Sequence, residues 1–229
     1  MLDGQGDHGR PRHHSFVQGV GILRVEKTSR PSFNKAHCFR LFHWQIHNSN
    51  IGGGISSSHA LQVDGESVFI DPVRLDDEAL AALPRPSAVV LTAKCHQRAS
   101  WRYRKQFGLE VWLPDDAPVA DEEPDRRYTE GDVLPGGLLV VRTPGPEWPH
   151  YSFVRQGEPG VVFCSDLISH EGAGKLSFIP PEYHEDPAAT RSSVEKLLEL
   201  PFSILCFDHG EPLVDEPKEA LRRLLLETA

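Results

Sequence analysis

Short apolar runs dominate the first third of the chain and are typical of β-strands. Polar or glycine-containing turns separate them, and their lengths favour strands over helices. The runs are VGILRV (20–25), CFRLFHWQI (38–46), SHALQV (58–63) and SVFI (67–70). This pattern predicts an antiparallel meander. The glycines at 52–54 are predicted to form a flexible hairpin loop, because no Lys-Ser/Thr pair follows them as a phosphate loop requires.

From Asp71 onward the pattern changes to alternating helices and strands. The predicted elements are, in order, a helix around 76–83, a strand at 88–92, a helix around 98–107, a strand at 110–113 and, after a polar surface crossing at 115–132, strands at about 138–143, 151–156 and 160–165. Helix start signals at Asp186-Pro187 and Pro217 predict two last helices, with a strand at 202–207 between them. This order predicts an α/β protein with two sheets and helices packed outside them.

Length and charge favour a single globular domain and disfavour proteins that coat nucleic acid or membranes. The chain has 229 residues, 39% of them hydrophobic, so residues 16–229 are predicted to form one domain after a mobile tail at 1–15. A formal net charge of −9 disfavours a protein that coats nucleic acid or an anionic membrane. No apolar run reaches the roughly 18–20 residues of a membrane span, and residues 1–15 lack a signal-peptide core. We therefore expect a cytoplasmic protein with reduced cysteines.

Five short motifs, in order along the chain, resemble those of the metallo-β-lactamase superfamily. Each lies at the end of a predicted strand, and the match covers roughly residues 38–229. The motifs are Ile70-Asp71-Pro72, Leu91-Thr92, Thr143-Pro144-Gly145, Phe163-Cys164-Ser165-Asp166 and His209-Gly210-Glu211-Pro212. The resemblance implies a four-layer αβ/βα sandwich, which agrees with the predicted order of elements. It also implies a site at the edge between the sheets, where superfamily members usually hold two zinc ions.

The metal-ligand run of the superfamily is altered in this chain. Its T-H-x-H-x-D-H pattern reads T-A-K-C-H-Q-R at 92–98, and its T-P-G-H pattern reads T-P-G-P at 143–146. Tightly bound zinc generally needs at least three protein ligands, and a dinuclear centre needs more. Asp166 and His209 stand at family ligand positions, and Cys95 is a third candidate. The resemblance therefore implies a member that has lost most ligands of the dinuclear centre.

Thr92, His96 and Arg98 resemble a T-N-x-x-H-x-R run that occurs in divergent members of the superfamily. Arg98 has two interpretations. Its fixed charge can oppose zinc and replace it as the partner of Asp166, which predicts a direct contact between the two. Alternatively, Arg98 begins the following helix on its solvated face, together with Arg102.

His96 is a ligand or a general base displaced by one position, or it makes a structural hydrogen bond. Adjacent residues in a turn tend to point differently, so we do not expect both Cys95 and His96 to be ligands. The candidate catalytic residues are His96, Asp166 and His209, and the candidate metal ligands are Cys95, Asp166 and His209.

The remaining pocket residues are named by the resemblance. Thr92, Arg98 and Pro146 belong to the pocket wall, and Asp71 is predicted on the floor as a buried carboxylate that accepts backbone N–H groups. His150 lies on the loop that would overhang the pocket, or it is an ordinary surface histidine.

Three hypotheses for the function follow from the sequence. The first is a binding or regulatory module, or a protein with metal-independent chemistry in the cleft where superfamily members hold their metals. The second is a hydrolase with one zinc at Cys95, Asp166 and His209, and the third is a scaffold or oligomerisation protein with a vestigial cleft. We expect no tightly held cofactor, with zinc at low occupancy as the exception. The expected partners are a small molecule in the cleft and, in a homo-oligomer, a second copy of the chain, but no nucleic acid and no membrane.

Overall fold

The first sheet is built from the N-terminal meander and the strands that follow it. The computed structural model describes residues 17–25, 39–48, 54–118, 121–170 and 175–228. Strands β1 to β4 pair antiparallel with their sequence neighbours, as predicted, and β4 to β7 pair parallel. The seven strands are β1 (Val17–Val25), β2 (Phe39–Asn48), β3 (Gly54–Val63), β4 (Glu66–Ile70), β5 (Ala88–Val90), β6 (Glu110–Pro114) and β7 (Arg126–Tyr128).

The second sheet contains five strands from the C-terminal half, in the order β14-β11-β10-β9-β8. Only β11 and β14 pair parallel within the described part of this sheet. The strands are β8 (Val133–Leu134), β9 (Leu138–Arg142), β10 (Tyr151–Arg155), β11 (Val161–Phe163) and β14 (Ile204–Cys206), and a separate two-stranded ribbon is formed by β12 (Ile168–Ser169) and β13 (Ser177–Phe178).

Among the described residues, four α-helices cover the outer faces of the two sheets. They are α1 (Asp77–Ala81), α2 (Ser100–Phe107), α3 (Pro187–Leu198) and α4 (Pro217–Glu227). The side chains of Asp76 and Asp186 cap α1 and α3 by accepting the backbone N–H of Ala79 and Ala189. In the described part of the chain, none of the helices has the length and apolar character needed to span a membrane.

Apolar side chains fill three interfaces and define the layers. Leu41 and Ile70 of the first sheet pack with Phe153 and Phe163 of the second, and all four are buried. Separate apolar clusters join the first sheet to α1 and α2, and the second sheet to α3 and α4. The order helix, sheet, sheet, helix confirms the predicted α/β class and the four-layer αβ/βα sandwich.

The polar stretch at 115–132 contains an element that the pattern did not predict. Within it, β7 extends the first sheet by pairing with β6. The signal is weak because β7 has three residues, and buried Tyr128 follows the charged Arg126 and Arg127. The predicted tail at 1–15, Cys38 and the first two glycines of the 52–54 loop lie outside the described residues.

Candidate functional site

Residues that follow four strand ends meet at one edge of the two sheets. Asp71 follows β4, Thr92 follows β5, Asp166 follows β11 and His209 follows β14. These strands run parallel within their sheets, so their carboxyl ends share an edge, where sites of layered α/β proteins assemble. The Oγ atoms of Thr92 and Ser165 lie 2.7 Å apart and join the two sheets there.

Thr92 and Asp71 form the buried floor of the site. The Thr92 N–H donates to Asp71 Oδ1 at 2.9 Å, and the Thr92 hydroxyl donates to Asp71 Oδ2 at 2.6 Å. Asp71 is fully buried, as the sequence predicts, and its φ of 46° lies in the left-handed region that few side chains adopt. This backbone conformation is held because the carboxylate is satisfied by Thr92.

His96 lies between two carboxylates. Its Nε2 is 3.0 Å from Asp166 Oδ2, and its Nδ1 is 3.1 Å from Asp208 Oδ2. The imidazole is buried, and Thr92 Oγ1 lies 2.9 Å from the same Nδ1. Burial lowers the pKa of His96, but the anionic groups around it outweigh that effect and raise the pKa well above the usual histidine value. The ring is therefore held with N–H groups toward its partners.

Asp166 contacts a second imidazole through its other oxygen. Its Oδ1 is 3.2 Å from His209 Nε2, and His209 Nδ1 donates to the carbonyl of Ile55 at 2.6 Å. Burial raises the pKa of Asp166, but the neighbouring imidazoles of His96 and His209 outweigh it and hold the pKa well below the usual range. Asp166 is thus an ionised carboxylate between two imidazoles.

Arg98 does not contact Asp166 as predicted; it pairs with Asp208. Its Nη2 lies 3.0 Å from Asp208 Oδ2, and its Nη1 donates to the carbonyls of Ser57 and Asp71 at 3.2 and 3.0 Å. The predicted contact is wrong because Arg98 has a φ of 35°, which ends the preceding turn and directs the side chain between β3 and the end of β14. The side chain is 15% exposed, so the alternative of a solvated helix face is wrong as well.

Asp208 is the residue of this site that the sequence reasoning missed. It is 3% exposed, and its Oδ2 lies 3.0 Å from Arg98 Nη2 and 3.1 Å from His96 Nδ1. Burial and the nearby carboxylate of Asp71 raise the pKa of Asp208 to about 7. Asp208 could have been identified from the sequence by its position, because it is a charged residue that directly follows an apolar strand and precedes His209.

Cys95 and His96 both reach Asp166. Residues 94–97 form a short 3₁₀ helix, and the donor atoms of Cys95, His96 and Asp166 all lie within 4.8 Å of one another. The two neighbours differ in exposure, since Cys95 is exposed and His96 is buried, but the tight helical turn keeps both near Asp166. The Cys95 N–H donates to Glu147 Oε1 at 3.2 Å, which fixes the turn against the opposite loop.

A cavity of about 600 Å³ opens above Asp166. Its walls combine polar and apolar residues, and Tyr183 among them is 73% exposed. The lining residues are Gly54, Cys95, Pro146, Glu147, Asp166, Ser169, Ile179, Pro180, Tyr183, His184 and His209. Pro146 stands where the family has a ligand. His184 is a second residue that the sequence analysis did not identify.

His150 is neither a surface residue nor part of this cavity wall. It is 1% exposed, its Nδ1 donates to the carbonyl of Thr143 at 2.7 Å, and it pairs with Ala93 in an isolated bridge. The predicted overhanging loop instead folds back onto the end of β5, which buries the ring. Of the predicted pocket residues, the structure brings Asp71, Thr92 and Arg98 around His96 and places His150 beside them in the interior.

Known structures share this fold. The metallo-β-lactamase FIM-1 from Pseudomonas aeruginosa, solved in a mono-zinc form, is 15% identical, with 92% of this chain and 96% of that chain covered and a TM-score of 0.61. The protein TTHA1623, solved in a di-iron-bound form, is 23% identical over 74% of this chain and 93% of that chain, with a TM-score of 0.58. A metallo-β-lactamase from Hirschia baltica is 12% identical, with 91% and 98% covered and a TM-score of 0.59. This chain therefore has the metallo-β-lactamase fold, which confirms the resemblance seen in the sequence.

Sequence comparison adds one partial relative. The hydroxyacylglutathione hydrolase of Bradyrhizobium sp. (strain BTAi1 / ATCC BAA-1182) is 31% identical over 84 residues, which are 35% of this chain and 32% of that protein. The match thus spans about a third of the length of that relative. No protein-family model matches the chain.

The residues present do not fit the dinuclear centre that the fold implies. Ala93 and Pro146 offer no ligand atom, and the Gln97 carboxamide accepts from Trp101 Nε1 at 3.1 Å. Arg98 adds a fixed positive charge to the position of another ligand. The residues fit a single ion better, because the ligand atoms of the Cys95 thiol, the His96 imidazole and the Asp166 carboxylate lie within 4.8 Å of one another.

Proposed function

We propose that this chain is a metallo-β-lactamase-fold hydrolase with a reduced site, which holds one zinc ion at Cys95, Asp166 and His209 and not the standard pair. One observation carries the proposal. The ligand atoms of Cys95 and Asp166 lie within 4.8 Å of each other, His209 Nε2 lies 3.2 Å from Asp166 Oδ1, and all three side chains line one cavity. Three such donors are the usual protein ligand set of an open zinc site.

The charges of these side chains suit a single divalent ion. A Cys95 thiolate and the Asp166 carboxylate together balance two positive charges, and neutral imidazoles add donors without adding charge. Arg98 balances Asp208, which stands behind the site. When bound, the ion would supply Lewis-acid polarisation of a substrate and a nucleophile at neutral pH.

The chain's own residues would bind and orient the substrate. The cavity of about 600 Å³ accommodates a small molecule, with Tyr183 and Ile179 offering apolar contact near the rim. His184 also lines the cavity and adds a further imidazole to its wall. The hydroxyacylglutathione substrate belongs to the partial relative, and fold alone does not transfer it to this chain. We therefore propose a small hydrolysable molecule as the substrate class.

A binding or regulatory role without metal is the second candidate. It is favoured by a specific observation, since Asp166 already pairs with His96 and His209, and Arg98 already pairs with Asp208. A pocket whose charges are balanced by protein groups is stable without an ion. In that case the protein is a pseudoenzyme of this fold whose cleft binds a ligand without hydrolysing it.

Metal content separates the two candidates. We expect protein purified without an affinity tag, and dialysed against zinc, to hold close to one equivalent by elemental analysis. Chelator should then lower its melting temperature, because an ion that binds only the native state stabilises it by mass action. In Asp166→Ala the zinc should be lost. Zinc well below one equivalent, together with a melting temperature that chelator does not change, would instead support the metal-free candidate.

A further inference from the structure

A second cavity, of about 380 Å³, lies where the end of β2, the segment after β4 and the start of α2 meet. Among the described residues, it shares no lining residue with the cavity above Asp166. The proposed hydrolase function makes no use of this space. Its wall therefore needs an explanation of its own.

Arginines supply the charge of this second cavity. Arg74, Arg98 and Arg102 line it, and none of the described residues in its wall is acidic. The chain as a whole has a net charge of −9, so three cations around one small space run against its composition. Like charges gathered around a cavity repel one another, and an anion between them removes that repulsion.

Two of the three guanidinium groups are not balanced by a protein carboxylate of comparable burial. Arg98 pairs with the buried Asp208. Arg74 makes no ion pair and no side-chain hydrogen bond with the described residues. Arg102 Nη2 lies 3.4 Å from Asp77 Oδ1, but the Asp77 side chain is 86% exposed, and such a solvated contact contributes little. Arg74 and Arg102 therefore leave positive charge at the cavity.

The hydrogen-bond donors of Arg102 are also incompletely used. Its Nε is buried and has no hydrogen-bond partner among the described residues. Folded proteins rarely leave a buried N–H group without an acceptor, because the lost hydrogen bond costs free energy. The protein alone thus does not satisfy this guanidinium.

The start of α2 adds to the positive charge of the cavity. Ala99 is the N-cap residue of this helix and lines the cavity, and its methyl group cannot cap the first N–H groups. A helix usually begins with a capping oxygen or with acidic residues that offset its dipole. The first turn of α2 has no acidic residue and carries Arg102 instead. An anion beside this turn would supply the missing negative charge.

We infer that this cavity binds a phosphate group, either as inorganic phosphate or on a small phosphorylated molecule. The charges match, because a phosphate monoester carries about −1.5 to −2 at neutral pH and two guanidinium groups are unbalanced. The fork of an arginine can donate to two phosphate oxygens at once. Ile46 and Val73, also in the wall, offer apolar contact to a carbon skeleton. The inference requires no metal and does not rest on the proposed function.

Phosphate titration of the metal-stripped full chain, followed by calorimetry, tests the inference. Removal of metal prevents phosphate from binding through an ion in the cavity above Asp166. We expect one equivalent to bind. Arg74→Gln and Arg102→Gln should each weaken binding by roughly 10–100-fold, the usual effect of losing a hydrogen bond between charged groups. Arg222→Gln is the matched control, because this exposed arginine lies on α4, and its affinity should stay close to that of the original chain.

Two further ligands test the charge and separate the two sources of phosphate. Acetate has a single charge and should bind more weakly than phosphate, and equal affinity would overturn the assignment to a phosphate group. Glycerol 3-phosphate that binds more tightly than inorganic phosphate would assign the cavity to a phosphorylated molecule. Weaker or equal binding would assign it to inorganic phosphate.

NMR of the ¹⁵N-labelled original chain gives a readout that does not depend on a variant. Phosphate should shift the backbone amide signals of residues 99–102 and the Nε–H signal of Arg102. The inference would be overturned by shifts confined to the cavity above Asp166, by unchanged affinity in both arginine variants, or by a lack of binding at millimolar phosphate. Zinc content is measured separately, so the proposed function can stand or fail independently of these results.

Discussion

The guanidinium of Arg98 and the carboxylate of Asp208 form a buried ion pair with an Nη2 to Oδ2 distance of 3.0 Å. The same oxygen of Asp208 lies 3.1 Å from His96 Nδ1. Arg98 therefore neutralises the carboxylate that lies beside His96 Nδ1, while Asp166 lies at Nε2 of the same imidazole. The predicted positive charge of Arg98 is present, but it pairs with Asp208 and does not contact the candidate ligand Asp166.

Removal of Arg98 should destabilise the fold. Arg98→Ala leaves Asp208 buried without its cation and exposes two carbonyls to a void, so we expect a loss of about 3–5 kcal/mol in the free energy of unfolding. Urea denaturation measures this value. Arg98→Lys should lose less, because it keeps the charge but not the fork of donors. The same Arg98→Ala variant should bind zinc more tightly, since a repelling charge is gone.

A double-mutant cycle checks whether the pair is responsible. If Arg98→Ala and Asp208→Asn act through their contact, the loss in the double variant should be clearly smaller than the two single losses combined. A free energy of unfolding within about 1 kcal/mol of the original for Arg98→Ala would contradict a stabilising role for the pair.

Thr92→Val should reveal how much the buried floor formed by Thr92 and Asp71 contributes to the free energy of unfolding. Valine has nearly the same shape as threonine but lacks the hydroxyl that donates to Asp71 Oδ2 and lies 2.7 Å from the Ser165 hydroxyl. We expect a loss of roughly 1–3 kcal/mol, the usual penalty for unsatisfied buried polar groups. Thr129→Val, at an exposed turn, is the matched control and should change the stability by less than about 0.5 kcal/mol. Equal losses in both variants would contradict the role assigned to Thr92.

Acid should destabilise the protein through His43. Burial lowers the pKa of His43 from 6.5 to about 4, against the opposing effect of its contact with the Gly210 carbonyl. In the unfolded chain His43 therefore takes up a proton below a pH of about 6.5, whereas in the folded chain it does so only below a pH of about 4. Stability is complete above pH 6.5 and falls as the pH decreases through this window, by up to about 3 kcal/mol for this group.

His43→Gln provides the test of that pH dependence. The variant keeps a donor for the Gly210 carbonyl but does not titrate. The difference in free energy of unfolding between pH 7 and pH 4.5, measured in urea, should be smaller in the variant by about 2–3 kcal/mol. An unchanged difference would show that His43 does not contribute to acid sensitivity.

Gly210 should not tolerate a side chain. It has a φ of 116°, and a Cβ at this position would overlap the backbone carbonyl of His170. Gly65 has a φ of 90° but no atom within 4 Å of such a Cβ. Gly65→Ala should therefore lose only about 1 kcal/mol from backbone strain, and Gly210→Ala at least about 2–3 kcal/mol more from the overlap. Thermal or urea unfolding of the two variants measures the contrast, and similar losses would contradict it.

The fold could be predicted from the sequence because its signals are local and repeated. The alternation of β2 to β4 and the start signals of α3 and α4 arise from neighbouring residues. Strand β7 could not be found this way, since Tyr128 becomes apolar core only when β6 lies beside it.

The sequence predicted which residues belong to the candidate site better than it predicted the contacts between them. Asp71, Thr92, Asp166 and His209 were found because they lie in the motifs that resemble the superfamily, each of which follows a predicted strand. The partner of Arg98 could not be predicted, because a left-handed backbone at one residue redirects its side chain and no pattern signals this. The joint approach of Cys95 and His96 depends in the same way on a 3₁₀ turn of four residues.

The Arg98–Asp208 pair also has an evolutionary consequence. Replacing Arg98 with the histidine of the family, with no other change, would remove the cation that pairs with the buried Asp208 carboxylate. Ala93 and Pro146 would still offer no ligand atom for a second metal. Under the proposed single-metal function, a return to a dinuclear centre would therefore require substitutions at several of these positions together.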